Sequence, residues 1–411
     1  MRAGLLGRKL GHSFSPRIHS FLGDYSYDLF EIEPEDLNAF MTGNSFDALN
    51  VTIPYKKDVI AYLAGLSPAA RAIGSVNTIV RRADGSLFGD NTDAAGFSGM
   101  VRRLGVDPAG KKALVLGSGG ASLTVQYVLR EMGASEVVVI SRSGENNYEN
   151  LERHAGARIL VNATPVGMYP NGGIAPVSLD RLPALEAVLD LIYNPARTQL
   201  LLDAQARGIP CINGLFMLAE QARKASERFT GASLDPALSE KVYSALRAET
   251  ENIILTGMPG CGKTTLSRIL SEKTGRPALD ADAVLTEKLG MSIPEYFASH
   301  TEDEFRQAET EVLREICRMS GQIIATGGGC VTRPENRDLL RQNGRVFYIE
   351  RSIDLLPTDG RPLSQRGSLQ DMYEKRHPLY LHFADARIAN SGAPEAAAEK
   401  IMEAFYENSG N

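Results

Sequence analysis

The sequence offers little for covalent cross-linking. It has four cysteines in 411 residues: Cys211, Cys261, Cys317 and Cys330, with no CxxC pair among them. Such a set makes neither a disulfide framework nor a zinc cluster and predicts free thiols in a reducing compartment. Positive charge is also short. The formal net charge is −6, which excludes a general nucleic-acid or anionic-membrane surface and leaves room only for local basic pockets. No run approaches the roughly 18 apolar residues that a membrane span requires. The apolar part of the opening MRAGLLGRKL is shorter than a signal peptide needs, so the expectation is a cytoplasmic protein. No fixed-period repeat and no low-complexity tract is found.

What is present is ordinary for a globular chain, 43% hydrophobic and 23% charged. The length exceeds one core, so two or three domains are expected. Short apolar runs alternate with helical patterns, which predicts an α/β protein with largely parallel sheets. One set of runs lies at 2–6, 27–32, 48–53 and 75–80. A second lies at 112–116, 136–140, 159–162, 187–190 and 210–212. Residues 236–249 read as a helix with Leu238, Val242, Ala245 and Leu246 on one face. A three-residue linker, 250–252, then leads to a last unit, 253–411.

That unit opens on the most specific stretch in the chain, Gly257-Met258-Pro259-Gly260-Cys261-Gly262-Lys263-Thr264, followed by Thr265. It fits GxxxxGK[ST] and has the required flanks, an apolar run before and a helical pattern after. Glycines there turn backbone N–H groups toward a phosphate chain. Lys263 can reach the outer phosphates, and the Thr264 hydroxyl can hold Mg²⁺. The reading is a nucleoside triphosphate site.

A second glycine turn, Gly117-Ser118-Gly119-Gly120-Ala121-Ser122, follows the run at 112–116. It is a variant of the dinucleotide fingerprint. The next run ends at Ser141-Arg142-Ser143, where NAD-specific folds place an acid on the ribose. Here a guanidinium stands, which suits a 2′-phosphate and favours NADP. Upstream, Ser13 and Ser15 alternate around Phe14, so in an extended segment both hydroxyls face one side. They suit a carboxylate or simply punctuate a loop. Asn50-Val51-Thr52-Ile53-Pro54-Tyr55-Lys56, Gly74-Ser75-Val76-Asn77-Thr78 and Gly89-Asp90-Asn91-Thr92-Asp93 add a lysine, acids, amides and hydroxyls. Each reads singly as a satisfied turn; together they gather polar chemistry ahead of a nucleotide fold.

The set SxS, NVTxPxK, VNT, GDNTD, GxGGAS, NATPxGM and GLxMLxxQA resembles the shikimate dehydrogenase family over about residues 1–248. The resemblance implies a two-lobed enzyme. A substrate lobe, 1–98, would be completed by 213–249, and a Rossmann lobe, 99–212, would bind NADP. It implies Lys56 and Asp93 as the catalytic pair and Ser13, Ser15 and Tyr193 around a substrate carboxylate. Thr52, Asn77, Asp93 and Gln221 would meet ring hydroxyls. Gly117, Ser118, Gly119, Gly120, Ala121, Ser141, Arg142 and Met217 would meet the cofactor. Two positions depart from the family: Ser141 replaces a common asparagine and Leu123 a frequent arginine. An alternative is therefore preference for NAD or for quinate.

In the last unit, Leu279-Asp280-Ala281-Asp282 sets two acids at alternate positions, one for Mg²⁺ and one for a hydroxylated acceptor. Arg306 lies in a helical pattern, and a short run ends in Gly327-Gly328-Gly329, where backbone must approach something closely. Gly360-Arg361-Pro362-Leu363 sits in a loop-like stretch, and Lys375-Arg376-His377-Pro378-Leu379-Tyr380 closes the series. With the phosphate loop, these residues resemble shikimate kinase over about 252–405. The resemblance implies Asp282, Arg306, Gly328 and Arg376 around shikimate, and Lys263, Asp282 and Arg361 in catalysis. Gly257, Gly260, Cys261, Gly262, Lys263, Thr264 and Thr265 would meet ATP, and Thr264 and Asp280 the Mg²⁺. Residues 352–359 are fewer than the family carries before Arg361, and no residue is assigned to the basic positions that usually stack on adenine. A rival reading makes this unit a regulatory nucleotide-binding module of low activity. The partners implied are small-molecule substrates, with the chain a monomer or homodimer.

Overall fold

The computed structural model describes residues 1–11, 13–356 and 369–407. The chain divides into two compact units. One comprises Met1–Val166, Ala175–Tyr193 and Asp203–Tyr243; the other comprises Gly167–Ile174, Asn194–Leu202 and Ser244–Asn411.

The first unit holds two sheets. Strands β1 (Arg2–Gly7), β2 (Ser26–Glu31), β3 (Ala48–Val51), β4 (Gly65–Leu66), β5 (Thr78–Arg81) and β6 (Leu87–Asp90) lie in the order β2-β1-β3-β5-β6-β4. This sheet is mixed, because β5 runs antiparallel to both β3 and β6. Expected strands at 2–6, 27–32 and 48–53 fall on β1–β3. The run at 75–80 becomes a strand only from Thr78, and the Asn77 side chain just before it accepts from the distant Thr92 N–H. The hairpin β5–β6 closes through Arg82–Ser86, where the Arg82 carbonyl accepts from Gly85 N–H at 2.9 Å and the Ser86 carbonyl from Arg82 N–H at 2.8 Å.

The second sheet is wholly parallel: β7 (Lys112–Leu116), β8 (Glu136–Ile140), β9 (Ile159–Asn162), β10 (Ala187–Asp190) and β11 (Cys211–Ile212), in the order β11-β10-β9-β7-β8. Ala113 to Leu116 and Ile159 to Val161 are fully buried. A parallel strand covered on both faces reads as a continuous apolar run, as these do. Helix Asp93–Leu104 packs on helix Leu215–Thr230 with almost no space between. A Cβ on Gly96 would lie 2.6 Å from the Met217 carbonyl oxygen.

The second unit carries β12 (Asn252–Thr256), β13 (Ala278–Asp280), β14 (Ile323–Ala325), β15 (Gly344–Glu350) and β16 (Ala386–Ala389). They form one parallel sheet in the order β13-β14-β12-β15-β16. Its core joins Ile254, Leu270, Leu313, Ile324, Phe347 and Phe405. Burying side chains of this kind stabilises the fold by about 1.5–3 kcal/mol each. Among the described residues no helix is long and apolar enough to cross a membrane.

Candidate active sites

In the first unit, β3 delivers Thr52 and the turn after it delivers Lys56. The Lys56 carbonyl is fixed by the Val76 N–H at 2.8 Å, and the Asn77 carbonyl by the Val51 N–H at 2.8 Å. Asp93 is the first residue of helix Asp93–Leu104, where the helix N-terminus favours a carboxylate. Lys56 Nζ donates to Asp93 Oδ2 at 2.6 Å. Beside them Asn77 is buried. Its Oδ1 accepts from the Thr92 N–H at 2.7 Å and from Thr78 Oγ1 at 3.0 Å. That arrangement fixes the amide, with Nδ2 left as the edge able to meet a ligand.

Ser13 and Ser15 come together, Oγ to Oγ at 3.1 Å. Phe14 between them meets the Tyr193 ring edge-on, centroids 6.3 Å apart. Ser15 also bonds the Tyr27 hydroxyl, which donates to Asn50 Oδ1 at 2.8 Å. Asn50 Nδ2 in turn donates to the Asn77 carbonyl at 3.3 Å. This chain of half-buried and buried polar groups ties the serine pair to the Lys56 side of the lobe. Burial pushes the Tyr27 phenol up, keeping it a neutral donor. His19, stacked on Tyr27 at 4.0 Å, is pulled down to about 3 by burial against a smaller opposing pull from Asn50. Neither Tyr27 nor His19 carries a sequence signal of its own. Met217 and Gln221 ride on helix Leu215–Thr230, pressed onto the Asp93 helix at Gly96.

The glycine turn after β7 supplies a cradle. Gly117 has φ +98°. A Cβ on Gly119 or Gly120 would meet nothing within 4 Å, so their faces are open. Helix Gly120–Glu131 starts with no side chain capping its N-terminus, which leaves N–H groups for an anion. Ser118 and Ala121 are exposed on the same rim, and Arg142 is exposed just past β8, after the half-buried Ser141.

In the second unit the phosphate loop leaves β12 with positive φ at Gly257, Gly260 and Gly262, +147°, +82° and +102°. Cys261 is buried, and Asn390 Nδ2 donates to its carbonyl at 2.7 Å. Lys263 Nζ rests on the loop itself, donating to the Gly257 and Met258 carbonyls at 2.9 and 3.1 Å. Thr264 Oγ1 donates to Asp280 Oδ2 at 2.9 Å. The other Asp280 oxygen accepts from the Asp282 N–H at 3.0 Å, capping helix Ala281–Leu289.

The residues expected to meet the acceptor gather around the three glycines. Arg306 is buried and donates to Glu309 Oε2 at 2.8 Å and to Glu302 Oε1 at 3.2 Å. Arg376 donates to the Gly328 carbonyl at 3.2 Å. An added Cβ on Gly327 would strike Glu309 and Asp282, and one on Gly329 would strike the Arg306 guanidinium. A cavity of about 560 Å³ unites these groups with Gly260, Gly262, Lys263, Thr264, Thr265 and Asp280. Phe305 and Glu309, which share the helical pattern of Arg306, also line it, as do Arg351, Ile293, Pro294 and Phe297, which were not singled out from the sequence. Glu309 was legible as an i,i+3 partner of Arg306; the apolar wall was not, since a half-buried helix looks alike everywhere. Burial pushes the Glu309 carboxyl up, against the pull of Arg306. Arg361 lies outside the described residues.

Comparison with known proteins matches these two sites to two families. The model of the shikimate dehydrogenase substrate binding domain matches residues 5–79, and that of shikimate kinase matches residues 259–406. A shikimate dehydrogenase (NADP(+)) of Clostridium perfringens is 37% identical over 267 residues, 59% of this chain and 97% of the relative. The crystal structure of a chorismate mutase/shikimate 5-dehydrogenase fusion protein from Clostridium acetobutylicum aligns with TM-score 0.57 and 34% identity, covering 60% of this chain and 96% of that one. Shikimate 5-dehydrogenase from Thermus thermophilus, solved with NADP(H) and shikimate, aligns with TM-score 0.55 and 35% identity over 60% of this chain and 99% of that one. The chain therefore belongs to the shikimate dehydrogenase family, carries a shikimate kinase domain behind that part, and is a shikimate-pathway enzyme.

Proposed function

We propose that the chain performs two consecutive reactions of aromatic amino acid biosynthesis. The first unit reduces 3-dehydroshikimate to shikimate with NADPH. The second phosphorylates shikimate at its 3-hydroxyl with ATP. The observation that carries the first half is the Lys56–Asp93 pair at 2.6 Å beside the fixed Asn77 amide. Bound NADPH supplies the hydride to the ketone carbon. Lys56, held by Asp93, gives a proton to the oxygen that becomes the alcohol. Ser13, Ser15 and Tyr193 hold the carboxylate, while Thr52, Asn77 and Gln221 orient the ring. The open faces of Gly119 and Gly120, the uncapped helix and the exposed Arg142 fit a dinucleotide with a 2′-phosphate. Met217 borders the nicotinamide.

In the second half, Arg306 and Arg376 take the shikimate carboxylate and Asp282 accepts the hydroxyl proton. The loop from Gly257 to Thr265 cradles the phosphates, and Arg361 stabilises charge on the transferring group. Among the described residues no cluster of three or more His, Cys, Asp or Glu could hold a metal alone. One hydroxyl and one carboxylate, Thr264 and Asp280, fit Mg²⁺ that is otherwise held by water and phosphate. We place the boundary between the two activities at 250–252 and the protein in the cytoplasm.

Incubating the chain with 3-dehydroshikimate, NADPH and Mg-ATP should yield shikimate 3-phosphate. NADPH oxidation without phosphorylated product would remove the kinase half. Comparing kcat/KM for shikimate and quinate with each cofactor tests the preference that Leu123 and Ser141 leave open. A higher value with NAD or quinate would overturn that part.

A further inference from the structure

We infer that Arg351 contacts the nucleotide of the kinase unit, taking an oxygen of its phosphate chain. The inference rests on the kinase reading above and adds a residue that reading does not use.

Arg351 is the first residue after β15. It lines the same cavity as Gly260, Lys263 and Thr264. Strand β15 is the direct neighbour of β12, pairing Tyr348 with Thr256. At the next position the two chains nearly touch, since a Cβ on Gly257 would lie 2.5 Å from the Ile349 carbonyl oxygen. Two residues beyond Ile349, Arg351 leaves the sheet beside the phosphate loop. The acceptor groups leave it on the other side. Asp282 follows β13 and the three glycines follow β14, and the order is β13-β14-β12-β15. The loop after β12 thus separates Arg351 from the acceptor acids, which assigns its guanidinium to the nucleotide.

Its charge has no other employment among the described residues. Nε is buried without a hydrogen-bond partner. The neighbouring acid, Glu350, is taken by Arg387 at 2.6 Å. A guanidinium kept unpaired in a cavity rimmed by loop N–H groups matches phosphate oxygens in geometry and charge. The sequence adds a reason: residues 352–360, leading to Arg361, contain no lysine or arginine. Arg351 is the cation nearest in sequence that can serve the nucleotide from this side.

The test uses the full chain with Arg351→Met, which keeps the aliphatic stem, and Arg351→Lys, which keeps the charge. ADP affinity is measured by calorimetric titration, alongside KM for ATP and for shikimate. Dehydrogenase turnover serves as the folding control. A lost charge-assisted hydrogen bond should weaken ADP binding and raise KM for ATP roughly 10- to 100-fold in the Met variant. KM for shikimate should stay within about twofold, and Lys should recover part of the loss. Unchanged ADP affinity, or a rise confined to the shikimate KM, would overturn the assignment. If the wild-type chain binds ADP but leaves shikimate unphosphorylated, the acceptor reading fails while the ADP titrations still decide Arg351. Failure of the wild type to bind ADP at all would end both.

Discussion

Lys56 shows how much a single side chain depends on its backbone. Its ammonium reaches Asp93 only because its carbonyl is pinned by Val76 and because Asp93 opens a helix. Lys56→Ala should lower kcat for reduction by about 10²–10⁴ with a smaller change in KM, since general acid catalysis acts in the transition state. Steady-state assays decide it, and a change in KM alone would assign Lys56 to binding. His19 carries a different consequence. Its ordinary value is 6.5, and in the fold it lies at about 3 because burial disfavours the imidazolium. The unfolded chain therefore binds a proton that the native site refuses. Stability contributed by neutral His19 is complete above about pH 6.5 and is lost progressively as pH falls toward 3. Thermal melts between pH 7 and 5, above most carboxylate titrations, should show a shallower slope for His19→Gln than for the wild type. Equal slopes would refute it.

At the level of elements, the Asp93 and Gln221 helices are set by a contact with no side chain in it. Gly96→Ala would place a methyl group 2.6 Å from the Met217 carbonyl, and such overpacking costs about 1–3 kcal/mol. The variant should melt earlier and lose dehydrogenase kcat as Gln221 and Asp93 part, with kinase turnover retained. Full dehydrogenase activity would show that the helices adjust. Strands β7, β9 and β10 were legible to the residue because both faces are buried, and the edge strand β8 from its valine run; the alternation of apolar runs with helices predicted parallel pairing. Strand β6 was not, although Asp84-Gly85 is a hairpin signal, because Leu87–Asp90 is short and ends in polar residues. The phosphate loop and the Lys56–Asp93 pair could be read because each sits in a tight local motif. Phe297 and Arg351 reach the cavity only when separate elements converge, and no spacing along the chain encodes that.

For the whole molecule, the decisive fact is that each unit has its own core. Val115, Leu129 and Leu189 belong to one cluster, Leu49 and Ile79 to another, and Ile254, Ile324 and Phe347 to a third confined to the second unit. Damage in one site need not spread. Lys263→Ala should abolish phosphorylation and spare reduction, while Lys56→Ala should do the opposite. Loss of both activities from either change, seen in parallel assays of the same preparation, would contradict that independence.

Asp280 divides its two oxygens, one to Thr264 and one to the start of the helix that bears Asp282. In the roles proposed above, a single carboxylate would thus link the Mg²⁺ of one substrate to the base that awaits the other. Whatever draws on the outer oxygen is felt at the inner one, so the two ligands should not bind as strangers. Linkage requires that if Mg-nucleotide tightens shikimate binding by some factor, shikimate tightens nucleotide binding by the same factor. Titrating each in the presence of the other, in the wild type and in Asp280→Asn, should show a common factor above one that falls toward one in the variant.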